Sequence, residues 1–164
     1  MAENHTIKEI IERVKKNKRW PDVKIIQKAY NYALEKHGTQ LRKSGEPYII
    51  HPTNVAYTIA ELGLDEQTIC AALLHDVVED TNVTFDELEK EFSPEIIEAL
   101  KLLTHDKNVD YLEYVRKIKN NPIARKVKLA DLYHNSDPNR MENPTQKDLE
   151  RKEKYRKAIE ILKY

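Results

Sequence analysis

The run Ala71-Ala72-Leu73-Leu74-His75-Asp76-Val77-Val78-Glu79-Asp80 reads as a helix that is apolar on nearly every side, with four ionisable groups in its second half. A helix apolar all round belongs in a core. Carboxylates buried there cost several kcal/mol unless they are paired or bind a metal. On a continuous helix the neighbours His75 and Asp76 point in different directions and cannot satisfy each other. Compensation must therefore come from outside this helix, and a divalent metal is the simplest agent.

Outward from this run, the chain reads as all-α. It has three glycines, 34% charged residues and few β-type alternations. A charged first helix is expected over about 6–17. Pro21-Asp22 opens a second to about His37, with Val23, Ile26, Tyr30, Ala33 and Leu34 as its apolar positions. Residues 38–50, with Gly38, Gly45 and Pro47, form the longest turn-rich stretch. Pro52 starts a helix to about Leu62, Gly63 stops it, and Asp65 caps the central helix over about 66–79.

Thr84 to Glu87 form a capping box for a short helix, and Ser93-Pro94 start another to about Leu103. Asp110 opens a helix to about Lys119 and Pro122 one to about Asn135. Asn143-Pro144 precede an amphipathic C-terminal helix, about 145–163, whose inner face is Leu149, Tyr155, Ala158, Ile159 and Leu162. With no repeat or linker, residues 1–164 are expected to form one helical domain.

The 28 Lys and Arg balance the 28 Asp and Glu, which argues against a protein that coats nucleic acid or a membrane surface. Cys70 is the sole cysteine, so an internal disulfide and a thiolate zinc site are excluded, and it reads as packed core. The sequence Met1 to Thr6 has no signal-peptide core, and no apolar run reaches the ~18 residues of a membrane span. The expectation is a cytoplasmic protein, with no signal for a particular oligomeric state.

His-Asp dipeptides occur twice, at 75–76 and 105–106. The second follows Leu103-Thr104, where a helix should run out into polar loop, and reads as a solvated turn. The first has acids one helical turn on: Glu79 four residues after His75, and Asp80 four after Asp76. That spacing gives two candidate ligands with two carboxylates beyond them, placed to hold and deprotonate a water.

His51, held at a loop-to-helix junction by Pro52, and Asp131, which interrupts an apolar helix face, could complete the set. Two imidazoles and two carboxylates suit manganese, iron or zinc better than calcium. Asn135, one turn after Asp131, could support a ligand or reach a substrate. Such a site is negative, so a polyanionic substrate needs cations nearby. Arg42 and Lys43 on the turn-rich loop could supply them, with Arg42 also able to stack on a base. Lys128 is a further candidate, though a surface lysine fits as well. His37 and His134 read as structural hydrogen-bonding groups.

Three ordered blocks carry a family resemblance. They are His37-Gly38 through Arg42-Lys43-Ser44-Gly45-Glu46-Pro47-Tyr48-Ile49-Ile50-His51-Pro52, then His75-Asp76-Val77-Val78-Glu79-Asp80-Thr81, then Lys128-Leu129-Ala130-Asp131 with His134-Asn135. Together, over about residues 25–140, they resemble the HD hydrolase domain of the RelA/SpoT alarmone enzymes, in its stand-alone, metazoan SpoT homologue-like form.

The resemblance implies a single-domain helical bundle around a central metal-binding helix. The metal, usually manganese or another divalent transition ion, would be held by His51, His75, Asp76 and Asp131. Glu79 and Asp80 would activate water, while Arg42, Lys43, Ser44 and Asn135 would bind a guanine nucleotide. The implied reaction removes the 3′-pyrophosphate of (p)ppGpp to leave GDP or GTP. Alternatives are the same chemistry on NADPH or an adenosine alarmone, or a nucleotide-sensing module without catalysis. The pair Glu79 and Asp80 counts against the last. The chain departs from the family at Leu132, at Leu103-Thr104-His105-Asp106 and at Ser136 to Arg140, stretches that border the nucleotide pocket in relatives.

Overall fold

A computed structural model describes residues 4–135 and 145–163, which form ten helices. These are α1 (Ile7–Asn17), α2 (Val23–His37), α3 (Ile50–Glu61), α4 (Glu66–Leu74) and α5 (Val77–Asp80). They continue with α6 (Phe85–Glu89), α7 (Pro94–Leu103), α8 (Tyr111–Ile118), α9 (Pro122–Asn135) and α10 (Gln146–Lys163). The only β pairing among the described residues is an isolated bridge between Leu41 and Pro47. The atypical 136–140 stretch and Asn143-Pro144 lie outside the described residues.

The helix starts follow local chemistry. The Thr6 hydroxyl accepts from the Glu9 N–H while the Glu9 carboxylate receives the Thr6 N–H, a reciprocal cap on α1. Asp22, Asp65 and Asp110 each accept an N–H in the first turn of α2, α4 and α8. Thr84 caps α6 through the Glu87 N–H, half of the box expected there.

Helix α4 is the axis. Every residue from Thr68 to Leu74 is buried, because α2, α3, α7 and α9 pack around it. Full burial of side chains such as Ile69, Leu73 and Leu74 contributes roughly 1.5–3 kcal/mol each. Cys70 is buried here, and burial pushes its thiol up to about 12, which makes it an inert core residue. Two expected inner positions face out instead: Leu34 of α2 and Leu149 of α10 are exposed. The packed part of α10 is its second half, where Ala158 and Leu162 are buried against α8 and α9.

The central helix departs most from expectation. It is not continuous over 66–79: α4 ends at Leu74 and α5 restarts at Val77. The His75 ring Nδ1–H donates to the Ala72 carbonyl at 2.6 Å, the acceptor that the Asp76 N–H would use in an unbroken helix. A side chain that competes for a backbone acceptor in this way interrupts the ladder. Asp76 sits at φ −102°, ψ 0°, in the sparsely populated bridge region where many active-site residues lie.

Candidate metal centre

The break turns two sequence neighbours toward one another. His75 Nε2 lies 3.1 Å from Asp76 Oδ2, so the expectation that they cannot meet fails because it assumed helical geometry through both. Two other elements complete the cluster. His51, in the first turn of α3, and Asp131, on α9, approach with His51 Nε2 2.8 Å from Asp131 Oδ1. His51 Nε2 is 3.6 Å from Asp76 Oδ2, and His75 Nε2 is 3.5 Å from Asp131 Oδ1. Ligand atoms of His51, His75 and Asp131, all three buried, lie within 4.8 Å of one another and could hold a metal ion. Asp76 adds a second carboxylate on the more open side.

The donor set fits a divalent cation. With Nδ1 of His75 committed to a carbonyl, its tautomer leaves a lone pair on Nε2. Among the described residues that Nε2 is buried without a hydrogen-bond partner, although two carboxylate oxygens stand within 3.5 Å. Only a second proton or a cation makes such an arrangement favourable.

The electrostatics agree. Burial pulls the His75 imidazole down, but Asp76 and Asp131 outweigh it and raise it well above the usual range. Burial raises Asp131, yet Lys128 and then the two imidazoles hold it well below the ordinary carboxylate range. Asp76 is likewise raised by burial and lowered overall by His75. In each case mutual charge wins over desolvation.

Four supporting residues surround the cluster. Lys128 is not a surface lysine: its Nζ is 3.2 Å from Asp131 Oδ2 and lies over the rings of Tyr111 and Tyr114. Asn135 donates to Asp131 Oδ1 at 3.1 Å. His134 Nδ1 is 2.8 Å from His51 Nδ1, the structural role expected of it. The Tyr48 hydroxyl is 2.8 Å from both Asp76 Oδ2 and Asp80 Oδ2, a link that sequence reasoning missed. The signal was available: a tyrosine three residues before a candidate ligand, in the same rigid turn.

Glu79 and Asp80 on α5 are exposed at the edge of the cluster. Burial raises both carboxyls, helped for Asp80 by the Asp76 charge and opposed for Glu79 by a hydrogen bond from the His105 N–H. His105-Asp106 is therefore more than a solvated turn. The His105 N–H donates to Glu79 Oε1, and the ring contacts the Val109 carbonyl at 2.7 Å.

Arg42 stands on the loop before α3, a tight turn in which the Gly45 N–H donates to the Arg42 carbonyl at 2.8 Å. Gly45 has φ +88°, a conformation that side chains rarely adopt. Arg42 Nη2 donates to Asn135 Oδ1 at 3.2 Å, which joins the loop to the cluster. Among the described residues Arg42 Nη1 is buried without a hydrogen-bond partner. Lys43 and Ser44 are exposed on the turn and, among the described residues, make no hydrogen bond to the cluster.

This geometry has relatives. The HD domain family profile matches residues 29–157. The chain belongs to the HD domain family. A guanosine-3′,5′-bis(diphosphate) 3′-pyrophosphohydrolase from Aquifex aeolicus is 51% identical over 86 residues, 52% of this chain and 12% of the relative. A GTP pyrophosphokinase rsh from Brucella ovis is 43% identical over 140 residues, 77% of this chain and 18% of the relative. The HD-domain chain thus spans under a fifth of the length of these curated relatives. A solved structure of a metazoan ortholog of SpoT that hydrolyses ppGpp superposes with TM-score 0.69 at 31% identity, covering 87% of each chain.

Proposed function

We propose that this HD domain, one domain over residues 1–164, is a divalent-metal-dependent hydrolase that removes the 3′-pyrophosphate of (p)ppGpp. The products are pyrophosphate and GDP or GTP. The observation that carries the metal chemistry is the convergence of His51, His75, Asp76 and Asp131 around an imidazole nitrogen that has no hydrogen-bond partner among the described residues. The substrate follows the Aquifex relative and the metazoan SpoT ortholog, which act on this nucleotide by name.

In this reading the four residues hold the ion, with manganese as the working choice because the donors are two nitrogens and two oxygens. Bound there, a divalent ion supplies Lewis acidity and lowers the pKa of water. The remaining steps belong to the chain. Glu79 and Asp80 take the proton of the attacking water, and burial has already moved both carboxyls toward the pH range useful to a base. Tyr48 fixes Asp80 relative to Asp76. Lys128 and Asn135 orient Asp131. Arg42 binds the guanine nucleotide, and Lys43 and Ser44 line the same turn.

The test offers metal-loaded protein ppGpp, NADPH and simple nucleotides, with pyrophosphate and orthophosphate followed separately. Pyrophosphate and GDP from ppGpp are expected. Orthophosphate from NADPH, with no product from ppGpp, contradicts the reading and favours the same metal chemistry on another nucleotide.

A further inference from the structure

We infer that His37 is a positioning residue for Asp80, acting through Gln40 and Tyr48, the two side chains that grip it. The inference rests on the reading of Asp80 as an acid that handles the attacking water.

Helix α5 has only four residues, Val77–Asp80, and a single helical turn is not stable by itself. Its own ladder includes the Asp80 N–H bond to the Asp76 carbonyl at 3.0 Å and the Thr81 N–H bond to the Val77 carbonyl at 3.1 Å. The Asp80 carbonyl is left over at the helix end. Gln40, on the loop after α2, takes it up: its Nε2 donates to that carbonyl at 2.6 Å. The Tyr48 hydroxyl holds the other end of the same residue, 2.8 Å from Asp80 Oδ2. Gln40 and Tyr48 are themselves tied together, because the Tyr48 N–H donates to the Gln40 carbonyl at 2.9 Å, beside the Leu41–Pro47 bridge.

His37, the last residue of α2, is 2% exposed and supports both grips. Donor and acceptor chemistry leaves one arrangement. The Asp80 carbonyl can only accept, so the Gln40 amide presents its NH2 group there and turns its Oε1 to His37. His37 Nδ1, 3.2 Å from that oxygen, therefore carries a proton and donates it. The His37 ring also packs on Tyr48, with centroids 4.8 Å apart and planes 32° from parallel. Its other nitrogen, Nε2, is buried without a hydrogen-bond partner among the described residues. Burial holds the imidazole below its usual range, so it stays uncharged at physiological pH. An unfilled buried acceptor is destabilising, and a phenylalanine of similar shape would avoid that cost. What phenylalanine lacks is the Nδ1–H, the group directed at Gln40.

The test has two readouts: amide hydrogen exchange in the metal-free full-length chain, and kcat and KM for ppGpp with Mn2+. His37→Phe keeps a ring and removes the donor. His37→Asn keeps an amide donor at the Nδ1 position without the ring, and Gln40→Ala deletes the bond to Asp80. His37→Phe and Gln40→Ala are expected to speed exchange at the Asp80 and Thr81 amides about tenfold, with the amides of Ile69 to Leu74 unchanged. Both should lower kcat about three- to tenfold with KM unchanged, the worth of one hydrogen bond. His37→Asn should recover most of each loss. In an Asp80→Asn background His37→Phe should lower kcat no further, since the carboxylate it positions is gone.

Unchanged exchange in His37→Phe and Gln40→Ala overturns the proposal. Faster exchange with kcat retained, or with the loss confined to KM, overturns it too, as does an undiminished effect of His37→Phe beside Asp80→Asn. If His37→Phe does not fold, Gln40→Ala decides by the same measures. If Asp80→Asn keeps the wild-type kcat, the reading of Asp80 fails first and the proposal falls with it. If the wild-type chain releases no pyrophosphate, the reading of the substrate fails, and the exchange rates alone decide whether His37 holds Asp80.

Discussion

His75-Asp76 interrupts a buried helix at the centre of the fold, whereas His105-Asp106 follows the end of α7 on a half-exposed turn. Both histidines engage a backbone carbonyl: His75 through Nδ1 to Ala72 and His105 through Nε2 to Val109. The difference is what each ring leaves over. His75 keeps a nitrogen with no hydrogen-bond partner among the described residues, 3.1 and 3.5 Å from two carboxylate oxygens. The His105 ring stacks on Tyr114 with centroids 4.6 Å apart, and it is its main chain, not its side chain, that meets a site residue. The same dipeptide thus becomes a candidate metal centre where it is buried, and a scaffold where it lies on a half-exposed turn.

The largest effect that separates the two pairs is metal retention. Asp76→Ala should lose bound metal and with it turnover, by roughly a thousandfold or more, since an ion and its field are removed together. His105→Ala should keep the metal. Its cost is expected in stability, about 1 kcal/mol for a lost hydrogen bond and ring contact. Metal content after dialysis, read beside thermal melting, checks both. Equal metal loss in the two variants would erase the distinction.

Next in size is Glu79→Gln, which probes the one residue that the two regions share. Metal binding should persist while turnover falls roughly 10²- to 10⁴-fold, the usual worth of a general base. The sign of its pH effect is fixed by burial, which raises the folded-state carboxyl. A carboxyl raised on folding destabilises the protein at pH values above its unfolded pKa. The Gln variant should therefore melt higher than wild type at neutral pH, with the gap closing as pH falls through the ordinary carboxylate range. Wild-type turnover should fall on the acid side at a pH above that of an ordinary glutamate. Coincident melting curves at pH 7 would show that Glu79 carries no such cost.

A smaller effect is expected from Tyr48→Phe, which deletes the hydroxyl shared by Asp76 and Asp80. A loss of about tenfold in kcat fits one or two hydrogen bonds of ordinary net worth, with metal affinity changed less than in Asp76→Ala. An unchanged kcat would mean that Asp80 needs no tether.

Much of this arrangement was legible in the sequence. The capping residues Asp22, Asp65 and Asp110 and the prolines at 94 and 122 mark helix starts because their chemistry is local. His75, Asp76 and Asp131 stand out because each breaks an apolar pattern, and His51 because Pro52 holds it at a loop-to-helix junction. What escaped sequence reasoning depends on tertiary competition. The break at 75–76 arises when an imidazole takes a carbonyl from the helix ladder, and helical periodicity carries no trace of that exchange. Tyr48, the half-buried state of Lys128 and the use of the His105 main chain share the same cause, since each is defined by a partner more than 25 residues away or by tertiary packing.

The central claim is that the nitrogen left over by His75 serves a metal that the hydrolysis requires. The direct measurement is pyrophosphate release from ppGpp by metal-stripped protein as Mn2+ is added, in wild type and in His75→Ala. The account predicts no release without metal, release that saturates at one ion per chain in wild type, and none at any tested Mn2+ in a folded His75→Ala protein. Full turnover by the stripped wild type, or a wild-type response in His75→Ala, would contradict it.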